Sequence, residues 1–246
     1  MVNSQEETMA IHDATFYDEK WHKTGPPDTK NWTAEFYNAI YTHNPRKWAS
    51  IDRDYLAFKI LSQEMSEPTR MLDFGCGNGH TIAFFKSQWP GTKYAGVDIS
   101  DVALELARER IPHGLFVKDI ARTWGCWNVI TIMGVAEHFP EPADELRSIS
   151  ERLCPDGYLY LEVPNCLAYS DDKTEGFRQT QAGSGQMEWH WQRKTWEAAI
   201  KAAGLQIVKR YRGIDQAWEY IWVLRKLNSV DRDDQAALLG RAVPAT

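Results

Sequence analysis

Met71-Leu72-Asp73-Phe74-Gly75-Cys76-Gly77-Asn78-Gly79 is the stretch that decides the fold. Met71, Leu72 and Phe74 form a short apolar run suited to a buried parallel strand. Gly75, Gly77 and Gly79 follow at spacing two, ahead of a helix-like segment carrying Ile82, Phe85 and Trp89. A strand, a glycine turn and a helix start place backbone N–H groups and a positive helix end beside a ligand. Glycine suits the turn because it tolerates positive φ and lets a ligand approach the backbone. A dinucleotide fingerprint requires G-x-G-x-x-G, and its third glycine would fall on His80. The pattern here is D-x-G-x-G-x-G, with Asp73 closing the strand. Beyond it Asp98, in KYAGVDIS, stands at the tip of a second strand. An acidic group there can accept two hydrogen bonds from a ribose diol.

Outward from this stretch, strands and helices alternate, which predicts a doubly wound, mostly parallel sheet. Expected strands are 71–74, 94–98, 115–117, 129–133 and 158–163, the last stopped by Pro164. Helices are expected over 79–89, from Ser100 as N-cap, over 143–153 and over 194–203. The residues 154–157 read as a turn into the fifth strand. Two β-rich runs, 205–211 and 220–227, read as an antiparallel hairpin, which makes seven strands in all. Upstream, 13–65 reads as a helical cap broken at Gly25-Pro26-Pro27. It carries the stripes Phe16, Tyr17, Trp21 and Trp48, Ile51, Tyr55, Phe58. Residues 1–12 and 228–246 lack packing logic and read as flexible. The segment 165–191 lacks apolar periodicity, and a connection that long is usually functional. With no repeat and no linker, one domain over 1–246 is expected, its core at 66–227.

The 246 residues can bury about 70% or more of their unfolded surface, so no staple is required. Cys76, Cys126, Cys154 and Cys166 form no C-x-x-C pair, and a reduced setting is expected rather than a disulfide framework. The apolar stretch 127–136 is about half a membrane span, and residues 1–12 lack the pattern of a signal peptide. A soluble, cytoplasmic protein, monomeric or homodimeric, is expected. The net charge of −6, without a Lys/Arg cluster, argues against a nucleic-acid partner. Of the eleven tryptophans, Trp89, Trp127 and Trp222 fit a core, whereas Trp21, Trp189 and Trp191 sit in polar segments.

The glycine turn paired with Asp98 resembles the class I methyltransferases that bind S-adenosylmethionine. Three downstream stretches strengthen the resemblance over about 65–227. LCPDGYLYLEVPN is similar to their helix–turn–strand signature L-x-P-G-G-x-L-x-x-x-x-P-N. MGVAEHFPEP resembles the M-x-V-x-E-H end of their fourth strand. EWHWQRKTWEAAIKAAGLQIV looks like the segment after their lid. The nearest resemblance is to the small-molecule group that includes the ubiquinone-biosynthesis O-methyltransferases.

The resemblance implies a Rossmann-like fold and S-adenosylmethionine as cofactor. It makes Asp73, Gly75, Cys76 and Gly77 contacts at the methionine end. Asp98 would hold the ribose, Ile99 would pack on adenine, and Asp119 and Ile120 would face the adenine edge. Met133 is a further candidate cofactor contact, and Arg53 is the candidate cation for the cofactor carboxylate. Ile99 as core, or Asp119 as the cap of a turn, are the alternatives. His138 is the expected base or orienting group, with Glu137 beside it. Trp21, Tyr169, Phe177, Trp189, His190 and Trp191 are candidate acceptor contacts in a cap and lid. Some quinone-precursor enzymes carry E-x-x-E-H as a metal site, but the first position here is Gly134, so no metal is expected. The expected reaction is methyl transfer to a hydroxyl of a small acceptor. The alternatives are transfer to a small amine or amino sugar, and a binding module without turnover. An oxidoreductase is disfavoured by His80.

Overall fold

The computed structural model describes residues 33–139, 141–165, 175–179, 187–212 and 219–227. Among the described residues the first elements are two helices, α1 (Ala34–His43) and α2 (Ile51–Leu61). They precede β1 (Arg70–Phe74), α3 (His80–Gln88), β2 (Lys93–Val97), α4 (Asp101–Arg110) and β3 (Leu115–Val117). The chain then forms β4 (Trp127–Met133), α5 (Pro142–Glu151) and β5 (Leu153–Pro164). A two-stranded ribbon of β6 (Gly176–Gln179) and β7 (Met187–His190) leads to α6 (Arg193–Ala202) and the hairpin β8 (Leu205–Arg212) and β9 (Glu219–Lys226).

The large sheet has seven strands in the order β3-β2-β1-β4-β5-β9-β8. Strands β1 to β5 pair in parallel, β9 runs antiparallel to β5, and β8 runs antiparallel to β9. Beginning at β1, the chain builds outward to β2 and β3 and then returns to place β4 on the other side. Such a reversal opens a crevice at the carboxyl ends of the strands, where ligands bind. One apolar cluster joins Leu72, Ile130, Leu161, Trp196 and Trp222, and a second joins Met71, Phe85, Val129, Tyr160 and Val223. Neighbouring residues of one strand fall into different clusters because successive side chains leave opposite faces of the sheet.

The expected seven-stranded mixed sheet is therefore present, Ser100 caps α4 by accepting from the Ala103 N–H at 3.1 Å, and Trp89, Trp127 and Trp222 are core residues. Three expectations need correction. The residues 154–157 do not interrupt the fifth strand. They form an irregularity within β5, where Leu153 pairs with Trp127 and Tyr158 with Val129. That same pairing brings Cys154 to Cys126, and the two form a disulfide across the amino ends of β4 and β5. Spacing along the chain does not reveal a pair made by adjacent parallel strands. The stripe through Ile51 and Tyr55 is solvent-facing, at 65% and 55% exposure. The inward face of α2 is instead Asp54, Ala57, Ile60 and Leu61. The buried aspartate disguised it.

Candidate functional site

The crevice is a cavity of about 600 Å³. Its floor is the turn after β1, where Gly75 and Gly77 have φ of 80° and 50°. A Cβ on Gly75 would run into Val135, and one on Gly77 into the Tyr41 hydroxyl. Only glycine fits these two positions, and the turn stays thin enough for a ligand to reach its backbone.

Asp98 emerges from β2 into the cavity and stiffens this turn. One carboxylate oxygen accepts from the Gly77 N–H at 2.8 Å, and the other accepts from the Ser100 N–H at 2.9 Å. A carboxylate has about four acceptor sites, so capacity for hydroxyl groups of a ligand is left. Ile99, 42% exposed, lies next to it on the wall. Asp119 and Ile120 complete this end. Asp119 also caps the short 3-10 turn Ile120–Arg122, accepting from the Ala121 N–H at 2.8 Å. Capping and lining the cavity coexist in this residue.

Asp73 occupies a different layer. It is buried, accepts from the Thr131 hydroxyl at 2.6 Å, and is not among the described residues lining the cavity. Burial raises its pKa from 3.8 to about 7, opposed by the Thr131 hydrogen bond. Between those two values the folded chain keeps a proton that the unfolded chain has released. This group therefore makes stability fall as pH rises through that window. Asp73→Asn is expected to gain more thermal stability relative to the parent at pH 8 than at pH 5. Melting curves of the ligand-free proteins at the two pH values check this, and an equal gain at both rejects it.

Opposite Asp98, the far end of the cavity is built by β4, β5 and β9. Met133 closes β4, and the 3-10 turn Ala136–His138 then presents Glu137 and His138. Glu137 is 4% exposed, and His138 is half-buried with its ring edge-on to Tyr37 at 6.5 Å. Glu162 sits opposite Met133 in the β4–β5 register. Arg53 reaches from α2 to meet Glu162 at 3.4 Å and donates to the Met133 carbonyl at 3.0 Å. Arg53 thus lines the cavity while serving as counter-ion to a buried carboxylate.

Three of the contacts expected from the lid, Trp189, His190 and Trp191, are placed away from the cavity lining. Trp191 packs at a tilt against Trp196 of α6 at 5.0 Å and against Trp189 at 5.6 Å, anchoring the ribbon to the helix. His190 is buried, and none of these three is among the described residues lining the cavity. Their neighbour Glu188 lines it. Trp21 and Tyr169 lie outside the described residues. Phe177 belongs to β6, opposite Trp189, but its side chain lies outside them. Sequence reading also missed Tyr37, Tyr41 and Trp48, which roof the cavity from α1 and the loop after it. It missed Asp54 as well, which bonds His80 Nδ1 at 2.7 Å and accepts from the Thr81 hydroxyl at 2.8 Å, fixing the start of α3 against α2.

A thin glycine turn, a carboxylate, an exposed apolar side chain and a second carboxylate in one row are the partners a nucleoside with a polar tail requires. Comparisons with known proteins agree. A family described as methyltransferase domain matches residues 43–210. A trans-aconitate 2-methyltransferase of Methylobacterium radiotolerans is 29% identical over 171 residues, 68% of this chain and 59% of that protein. One from Rhodopseudomonas palustris is 29% identical over 140 residues, 56% of this chain and 52% of that protein. The chain thus spans between half and three-fifths of the length of these relatives. Among solved structures, a 1,6-didemethyltoxoflavin-N1-methyltransferase of Burkholderia thailandensis superposes with a TM-score of 0.62 at 20% identity, covering 79% of this chain and 87% of that one. The amino pentose methyltransferase CalS10 of Micromonospora echinaspora gives 0.56 at 19% identity, covering 76% and 96%. The fold, the glycine turn and a family match over more than half of the chain together make this protein a member of the class I S-adenosylmethionine-dependent methyltransferases.

Proposed function

We propose that the chain transfers the methyl group of S-adenosylmethionine to a hydroxyl or amine of a small molecule held at the carboxyl ends of β4 and β5. One observation carries this reading. A single cavity is lined at its β2–β3 end by Asp98, Ile99, Asp119 and Ile120, and at its other end by Met133, Glu137, His138 and Glu162. When bound, S-adenosylmethionine supplies an electrophilic methyl group, which an acceptor lone pair takes as the carbon–sulfur bond breaks. The chain's part is placement, which needs reacting atoms held about 3–3.5 Å apart. In this reading Asp98 takes the ribose hydroxyls, the backbone of the glycine turn lies against the polar tail, and Ile99 takes the base.

His138 and Glu137 face the acceptor, and a hydroxyl acceptor would hand its proton to a group such as His138. The Asp98 end discriminates for a nucleoside, so binding of the demethylated product tests the reading directly. Calorimetric titration of S-adenosylhomocysteine is expected to show one-to-one binding, with no binding of NADH. Comparable affinity for NADH, or no affinity for S-adenosylhomocysteine, rejects it.

A further inference from the structure

Four carboxylates from four separate elements converge on the β4–β5–β9 end of the cavity. They are Glu137 after β4, Glu162 on β5, Glu188 on β7 and Glu219 at the start of β9. The cations lining the cavity do not offset them equally. Lys118 lies beyond β3 at the opposite end and pairs with Asp101 at 2.9 Å. Lys47 lies over the Trp48 ring at 5.5 Å. Arg53 is at the right end but is committed to Glu162 and the Met133 carbonyl.

Glu137 lies in the 3-10 turn that follows β4. It is 4% exposed, it lines the cavity, and its Oε2 has no hydrogen-bond partner among the described residues. A buried carboxylate oxygen left unpaired costs the full desolvation penalty of that group. Two aromatic rings, Tyr37 and Trp48, 6.1 Å apart, line the same cavity, and aromatic faces attract cations. An anionic acceptor would meet like charge here, and a neutral hydroxyl would bring these carboxylates no counter-charge.

We infer that the acceptor is an amine that enters as an ammonium ion, with Glu137 as its counter-charge and then as the acceptor of its proton. This rests on the methyltransferase reading above and names its substrate class. An ammonium ion has no lone pair, so transfer requires that one N–H proton leave first. Burial and neighbouring Glu188 raise the Glu137 pKa in the ligand-free protein, and an ammonium ion placed beside it favours the charged form. The proton passes from nitrogen to the unpartnered Oε2, leaving a neutral amine beside a neutral carboxylic acid. The nitrogen lone pair then bonds to the methyl carbon and the carbon–sulfur pair stays on sulfur. The products are the methylated ammonium ion, the thioether, and the proton that Glu137 returns to solvent. On this account Glu137 is a catalytic residue, and His138 orients the acceptor.

The test uses three probes with one ring and different charge: benzylamine, benzyl alcohol and benzoate. Each is titrated against the full chain saturated with S-adenosylhomocysteine at pH 7.5, with binding read by ligand-observed NMR. Benzylamine is expected to bind roughly tenfold or more tightly than either of the others, the scale of one charge-assisted hydrogen bond. Glu137→Gln, nearly isosteric, is expected to erase that preference while leaving S-adenosylhomocysteine affinity unchanged. If the glutamine variant melts early, Glu188→Gln carries the same comparison and is expected to weaken the preference. Equal or tighter binding of benzoate, no binding of benzylamine, or a preference that survives both substitutions overturns the inference and leaves the methyltransferase reading standing. Failure to bind S-adenosylhomocysteine at the outset overturns both.

Discussion

Asp98→Ala is expected to weaken S-adenosylhomocysteine binding roughly 10- to 150-fold, about 1.5–3 kcal/mol, the scale of hydrogen bonds to a charged group. Two effects combine in this loss. The carboxylate no longer accepts from the ribose hydroxyls, and it no longer holds the Gly77 N–H at 2.8 Å or the Ser100 N–H at 2.9 Å. Asp98→Asn separates them. Its side-chain oxygen can still accept from one backbone N–H, but it offers the diol a single acceptor and a donor. It should therefore recover part of the turn and little of the affinity. Calorimetry with circular dichroism as a check on folding reads the outcome. Unchanged affinity in a folded Asp98→Ala protein rejects the ribose assignment.

That residue was legible because its position follows from the chain alone. An acid at the end of the strand after a glycine turn must lie on the same edge as that turn in a parallel sheet. Gly75, Gly77, Ile99 and Asp119 were readable for the same reason. The acceptor end was harder, because it is assembled across elements distant in sequence. Tyr37 and Trp48 come from α1 and the loop that follows it, and Glu219 comes from the start of β9. Two signals were nonetheless present. Glu162 is the only charged residue in the run Tyr158–Val163, and charge inside a buried strand calls for a partner or a function. In β7, side chains alternate between faces, so Glu188 and Trp189 cannot both face the cavity. The aromatic weight of Trp189 and Trp191 pointed to the wrong face, since those rings pack toward α6. The Cys126–Cys154 pair was invisible for the same reason as the acceptor end. It depends on β4 and β5 being neighbours, which spacing along the chain does not encode.

Arg53→Ala is expected to lower the stability of the ligand-free protein by about 3 kcal/mol, the lower end of the cost of breaking a buried ion pair. In a domain of this size that corresponds to a fall of roughly 6–12 °C in melting temperature. The guanidinium is 27% exposed but Glu162 is only 4% exposed, so most of the cost falls on the stranded carboxylate. Glu162 retains the Tyr160 hydroxyl at 3.1 Å as a donor, and the Met133 carbonyl loses its side-chain donor. If charge is the cause, Arg53→Ala combined with Glu162→Gln recovers most of the loss, because an amide needs no counter-ion. Equal loss in the single and double variants would assign the effect to packing instead. The pH dependence has a definite sign. Burial already raises the Glu162 pKa above 4.5, and Arg53 pulls against that rise. Removing Arg53 raises it further, so the folded variant holds a proton up to higher pH than the unfolded chain does. The deficit relative to the parent is therefore expected to be small near pH 5 and to grow toward pH 8. The double variant serves one further purpose. If Arg53 also contacts the carboxylate of the cofactor, S-adenosylhomocysteine affinity stays low in the double variant although stability returns. If affinity returns together with stability, the role of Arg53 is confined to holding Glu162 at the acceptor end of the cavity.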